Sequence, residues 1–142
     1  MLKMSTRSTY ALKALAYMAR RDMSQPTRLS AVAEDEKIPQ PYLEQIFSKL
    51  KKAGVIQAVR GPEGGYRLNR PPEQISLADI VTVLEGPLEP ALCSFPENRN
   101  DHCHESGDCL SRQICNELDG AIFKTLSNST LGSLCGLKEN VQ

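Results

Sequence analysis

A mainly helical chain with a small β-hairpin and a long helix near its C-terminus is the architecture this sequence predicts, and three observations predict it. The stretch Pro41–Tyr66, PYLEQIFSKLKKAGVIQAVRGPEGGY, passes from a helical apolar stripe to two short strands around a glycine-rich turn. Two further apolar stripes precede it, broken by Pro26 and Pro39. A third runs from Cys109 to about Leu126, roughly 25 Å if helical. Helix, helix, helix and hairpin in that order form a winged helix-turn-helix, here followed by a helix longer than one small domain needs.

The first helix is expected over Ser5–Arg21, with Tyr10, Ala11, Ala14, Leu15, Met18 and Ala19 on its apolar face; the alanines let another helix come close. Leu29, Val32 and Ala33 mark a short second helix, capped by Thr27 or another polar residue nearby. Residues Lys37–Gln40 form the turn, because Pro39 bars the helix from continuing. Pro41 suits the first turn of the third helix, where a missing N–H costs nothing. Leu43, Ile46, Phe47 and Leu50 then make its buried stripe, while Glu44, Gln45, Ser48, Lys49 and Lys52 face outward. Those outward groups can hydrogen-bond to base edges or neutralise phosphates. Gly54 stops the helix, Val55–Arg60 reads as a strand, residues Gly61–Gly65 turn, and Tyr66–Leu68 returns. Arg60 and Arg67 stand on the two arms of a tip rich in glycine, which a ligand can approach closely. In a DNA-binding winged helix such a tip reaches the minor groove, whose negative potential favours Arg.

Arg70-Pro71-Pro72 divides the chain, giving residues 1–70 as a DNA-binding unit and residues 71–142 as connecting helix, cysteine-bearing loop and long helix. Net charge is zero, which by itself argues against a nucleic-acid binder, but the two parts differ sharply. Residues 1–70 hold thirteen Lys/Arg against six Asp/Glu, and residues 71–142 hold four against eleven. The first part attracts phosphate and the second does not. Ser76–Leu84 is helical, capped by Ser76 and ended by Gly86-Pro87; Leu88–Asp108 is a long aperiodic loop. The stripe of the long helix, Leu110, Ile114, Leu118, Ala121, Ile122 and Leu126, fits packing against a second subunit; the alternative is that it lies across its own winged domain. Leu131–Leu137 is either a short helix or a strand.

Charges at Lys3, Arg7, Lys13, Arg20 and Arg21 interrupt any signal peptide, and no apolar run reaches the roughly 20 residues of a membrane span, so a cytoplasmic location is expected. In that reducing compartment five cysteines are thiols or metal ligands rather than disulfides. Cys93, Cys103 and Cys109 fall within 17 residues without any C-x-x-C pair. A helix start favours a thiolate at Cys109, whereas Cys115 points about 120° away around the helix. Cys115 and Cys135 therefore read as structural. From the residues alone, a metal or cluster site and scattered thiols both stay open. Ser/His/Asp sets, phosphate loops and paired catalytic carboxylates are missing from the sequence, which argues against an enzyme.

The segments STRSTYALKALAYMA, PYLEQIFSKLKKAGVI, VRGPEGGYRL and ISLADIVTVLEG together resemble the Rrf-two family of winged-helix transcription regulators, with its IscR-like, NsrR-like and CymR-like branches. The pattern is closest to the IscR-like iron-sulfur regulators. The resemblance covers nearly the whole chain. It implies a homodimer on a pseudo-palindromic double-stranded DNA operator, joined by the long crossing helix, and no association with membrane. It further implies that Cys93, Cys103 and Cys109 hold an iron-sulfur cluster, 2Fe-2S or alternatively 4Fe-4S, although the gap after Cys93 is longer than the family usually shows. The fourth ligand of the IscR-like pattern is a His where this chain has Arg112, and the NsrR-like carboxylate falls at about Thr9. Neither known fourth ligand is present at its position. His104 becomes the first choice by proximity, with His102, Glu105, Asp108 and Cys115 as rivals. By the same resemblance Glu44 and Gln45 read bases and Arg60 enters the minor groove, with Gly61, Gly64 and Gly65 shaping the tip. Ser5, Thr6, Arg7, Pro41, Tyr42, Lys49 and Lys52 are placed for the phosphate backbone. A cluster-free regulator of the same family, controlled by thiol redox, a small molecule or a partner protein, is the alternative; a small redox or electron-transfer protein is the alternative of another class.

Overall fold

The computed structural model describes residues 4–86 and 110–136, the side chains of residues 110–112 and 115 excepted. Helix α1 spans Thr6–Ala19; Ser5 is its N-cap rather than its first residue, with its hydroxyl accepting from the Ser8 N–H at 3.2 Å. Ala11, Ala14 and Leu15 are fully buried, so the small-residue face serves close helix packing as expected. Helix α2, Leu29–Glu36, begins at Arg28 with no side-chain cap. Thr27 does not cap it, because its backbone is paired with Tyr66 instead. The helix ends on Lys37 in the left-handed region, φ 55°, which turns the chain sharply toward Pro39 and the next helix.

Helix α3, Gln40–Lys52, buries Leu43, Ile46, Phe47 and Leu50 to 1% exposure or less. Burial of those four side chains contributes on the order of 1.5–3 kcal/mol each. Lys49, Lys51 and Lys52 occupy its last turn, where the helix dipole favours cations. Gly54, at φ 80°, then lets the chain reverse. Strands β1 (Ile56–Val59) and β2 (Gly65–Leu68) pair antiparallel, from Ile56 opposite Leu68 to Val59 opposite Gly65. The Asn69 side-chain amide closes the hairpin base by donating to the Gly54 and Ile56 carbonyls at 2.7 and 3.2 Å. Tyr66 stands edge-on to Phe47, ring centroids 5.0 Å apart, which fixes the hairpin against α3.

A single turn at Pro72–Gln74 leads to α4, Leu77–Glu85, capped by Ser76, whose hydroxyl accepts from the Asp79 N–H at 3.1 Å. Helix α5 runs Leu110–Asn128, and the tail forms a short helix, α6, over Leu131–Leu134. Leu131 is fully buried, and its N–H donates to the Ile75 carbonyl at 2.8 Å. The end of the described chain thus returns to the start of α4. Ile75, Ile80, Leu84 and Leu131 belong to the same buried cluster as the α1 and α3 residues, so the charge change at Arg70 does not coincide with a change of core. No helix among the described residues is long and apolar enough to cross a membrane.

Candidate nucleic-acid interface

The outward face of α3 is set by its own periodicity. With the apolar stripe turned inward, Glu44, Gln45, Ser48, Lys49 and Lys52 are all exposed, as is Pro41 at the start of the helix. Tyr42 is half-buried and packs edge-on to Tyr10, centroids 5.5 Å apart, so α1 orients it. Arg7, Tyr42, Gln45, Ile46 and Lys49 line a hollow of about 30 Å³ between α1 and α3. Two cationic side chains and an amide meet there on the surface.

The N-terminus of α1 makes contacts that the sequence did not reveal. Ser5 and the fully buried Ser8 both donate their hydroxyls to the Glu85 carboxylate, and Arg7 donates to the Leu84 carbonyl at 3.1 Å. These bonds tie α1 to the last turn of α4. The Ser5 and Ser8 hydroxyls, followed by the nearby Arg7 and Lys49 charges, hold the Glu85 carboxyl below its usual range against the opposing effect of burial. Thr6 and Arg7 are exposed on the outer side of this joint.

At the wing, Gly61 sits at φ 118°, a conformation other residues rarely adopt. Gly64 and Gly65 have a different, internal reason to be glycine: an added Cβ would stand 2.2 Å from the Val59 carbonyl oxygen and 2.3 Å from that of Thr27. The second approach arises because Thr27 and Tyr66 exchange backbone hydrogen bonds, 2.8 Å each way, adding a one-residue third strand to the hairpin. Arg60 is exposed beside the tip. Arg67 is not its companion there. Its guanidinium turns away to donate to the Ser24 carbonyl at 3.0 Å, leaving its buried Nε without a hydrogen-bond partner among the described residues. The second guanidinium at the tip belongs to Arg28, which donates to the Pro62 carbonyl at 2.7 Å. Nothing in the local pattern around Arg28 signals this, because the bond spans 34 positions.

Cys93, Cys103, Cys109, His102, His104, Glu105 and Asp108 lie outside the described residues, as does the side chain of Cys115. Cys135, half-buried, rests its Sγ 3.7 Å from the Ala16 carbonyl, and burial pushes its thiol pKa up. Thr9 donates its hydroxyl to the Ser5 carbonyl at 3.0 Å, one turn back in its own helix.

Comparison with known proteins identifies the family of this fold. The family model Rrf2, described as "Iron-dependent Transcriptional regulator", matches residues 4–136. IscR of Vibrio vulnificus, an HTH-type transcriptional regulator, is 32% identical over 141 residues, covering 99% of this chain and 82% of that protein. Among solved structures, CymR, the global cysteine regulator of B. subtilis, superposes with a TM-score of 0.80 at 31% identity, over 96% of this chain and 98% of that one. T. potens IscR gives 0.77 at 30% identity, over 98% and 88%. These relatives are regulators rather than enzymes. The chain is a transcriptional regulator of the IscR/CymR type and belongs to the Rrf2 family.

Proposed function

We propose that the chain acts in the cytoplasm as a homodimer on a two-fold symmetric DNA operator, with α3 in the major groove and the wing tip in the adjacent minor groove. The observation that carries this reading is the exposed polar face of α3, together with the Arg7–Lys49 hollow it borders and a wing tip that carries exposed Arg60 and the bond from Arg28. Glu44 accepts from cytosine N4 and Gln45 pairs with adenine, while Ser5, Thr6, Arg7, Pro41, Tyr42, Lys49 and Lys52 meet phosphate and sugar. Gly61, Gly64 and Gly65 give the tip its narrow profile. Ile114 and Leu118, 49% and 42% exposed on α5, supply the surface for the second subunit. Binding should weaken steeply with salt, and Lys49→Ala or Lys52→Ala should each reduce that slope by about 0.9 per phosphate no longer neutralised. Glu44→Ala should instead change which sequence is preferred; equal effects on matched and mismatched duplexes would contradict its role.

Cys93, Cys103 and Cys109 are the residues that would hold an iron-sulfur cluster, 2Fe-2S in the first instance, with His104 as fourth ligand. Three thiolates suit iron, and a bound cluster supplies an electron-exchanging group whose integrity depends on redox conditions. Iron and sulfide analysis of anaerobically reconstituted protein tests this, with a visible spectrum lost in Cys93→Ala, Cys103→Ala and Cys109→Ala. A second reading, regulation without a cluster through thiol redox, a small molecule or a partner protein, is favoured by Arg112 and Thr9 standing where the resemblance expects a His or a carboxylate as fourth ligand. Colourless, iron-free wild type would select it.

A further inference from the structure

We infer that Arg28 is a positioning residue for the wing, setting the depth and stiffness with which Arg60 is presented to DNA. The inference rests on the minor-groove reading of the wing given above. Past the last strand pair, Val59 opposite Gly65, the tip comprises residues 60–64, and its internal backbone bond among the described residues is the Gly64 N–H to the Gly61 carbonyl at 2.9 Å. One backbone bond leaves the rest of the tip to be held by side chains. Arg28 adds a second tether from outside the hairpin, its guanidinium donating to the Pro62 carbonyl at 2.7 Å, at the apex itself.

The base of that tether is itself rigid. Arg28 follows Thr27, whose two backbone bonds to Tyr66 and close approach to Gly65 fix it to β2, and it is the N-cap of α2. The guanidinium therefore reaches the tip from a backbone already fixed to the hairpin. Its planar fork is pre-organised, so less freedom is lost per bond formed, and the guanidinium keeps its positive charge at the tip. A tip ordered before binding has less conformational entropy to lose on entering the groove. A tip held at fixed depth also discriminates narrow from wide minor grooves, so the chain's preference for A·T-rich flanks would depend on Arg28 although Arg28 reads no base.

The rival role for an exposed arginine here is a plain bond to phosphate, and the two separate by experiment. The probe is the duplex that the wild-type chain enriches from a randomised pool. Affinity and its salt dependence are measured for wild type, Arg28→Ala, Arg60→Ala and the double variant, with thermal unfolding checked for each. Amide exchange at Glu63 and Gly64 is measured without DNA. The expected results are a loss of about three- to tenfold for Arg28→Ala, and less than about twofold further loss when Arg60 is already absent. Faster exchange at the tip and a weakened preference for A·T-rich flanks should accompany them. Unchanged exchange, with additive losses and a salt slope falling by about 0.9 in both backgrounds, overturns the proposal in favour of direct phosphate binding. If the wild type enriches no sequence, the DNA-binding reading fails with it, while the exchange result still reports whether the tether holds the tip.

Discussion

The winged part of the molecule and helix α5 carry the same kind of sequence signal and put it to opposite uses. In α3 the stripe Leu43, Ile46, Phe47 and Leu50 is buried by α1, α2, α4 and the hairpin of the same chain. In α5, among the described residues, Ile122 and Leu126 are half-buried, whereas Ile114, Leu118 and, on another flank, Phe123 stand 42–52% exposed. Water is a poor neighbour for such a surface. The difference teaches that an amphipathic stripe fixes which side of a helix is apolar, but not which chain covers it.

The sharpest test of that contrast is a pair of truncations. Phe47→Ala should cost about 3–5 kcal/mol, because a fully buried ring packed on Tyr66 leaves a cavity that rigid neighbours cannot fill. Urea unfolding of the wild type and variant measures it, and a loss under about 1 kcal/mol would place the core of the wing elsewhere. Leu118→Glu should leave the winged unit folded but weaken self-association by about 2 kcal/mol, as expected for a central interface residue. Sedimentation across a concentration series checks this; an unshifted dissociation profile would show that α5 does not cover itself with a second copy.

Two smaller effects probe the joints of the self-contained part. Lys37→Gly at φ 55° relieves about 1–2 kcal/mol of left-handed strain and adds back about 0.5–1 kcal/mol of chain entropy. The variant should therefore be slightly more stable by thermal unfolding. The weakest effect should come from Glu85, whose carboxyl is held below its ordinary value by Ser5 and Ser8. A depressed folded-state pKa means the contribution is present above the unfolded value, about 4.5, and is lost as pH falls through the lower folded one. The unfolding midpoint of Glu85→Gln should accordingly be less acid-sensitive than wild type in that window. A parallel decline of the two would deny the α1–α4 joint any electrostatic part.

Much of the site is legible in the sequence, and what is not has a common cause. The polar face of α3, the hairpin and the α4 cap follow from periods of 3.6 and 2 and from turn chemistry, which act over a few residues. The pairing of Arg67 with the wing tip fails because its two arms are adjacent in sequence, yet the guanidinium finds a carbonyl at Ser24 across the fold. Likewise Ser5 and Arg7 read as phosphate-binding residues, while their geometry adds a bond across about 80 positions to the end of α4. Gly64 and Gly65 are legible as glycines of a tip; that carbonyls of Val59 and Thr27 press on them is not.

Local rules in the chain were enough to determine its helices up to the short tail helix at Leu131–Leu134, its hairpin, the cationic front part and the spacing of its cysteines, because each depends on neighbours a few bonds away. Tertiary structure alone decided that Arg28 rather than Arg67 braces the wing, that Thr27 joins the sheet instead of capping α2, and that Ile114, Leu118 and Phe123 of α5 stand exposed among the described residues. Those outcomes turn on which carbonyl or surface lies within about 3–4 Å once distant segments meet, and no local period encodes that meeting.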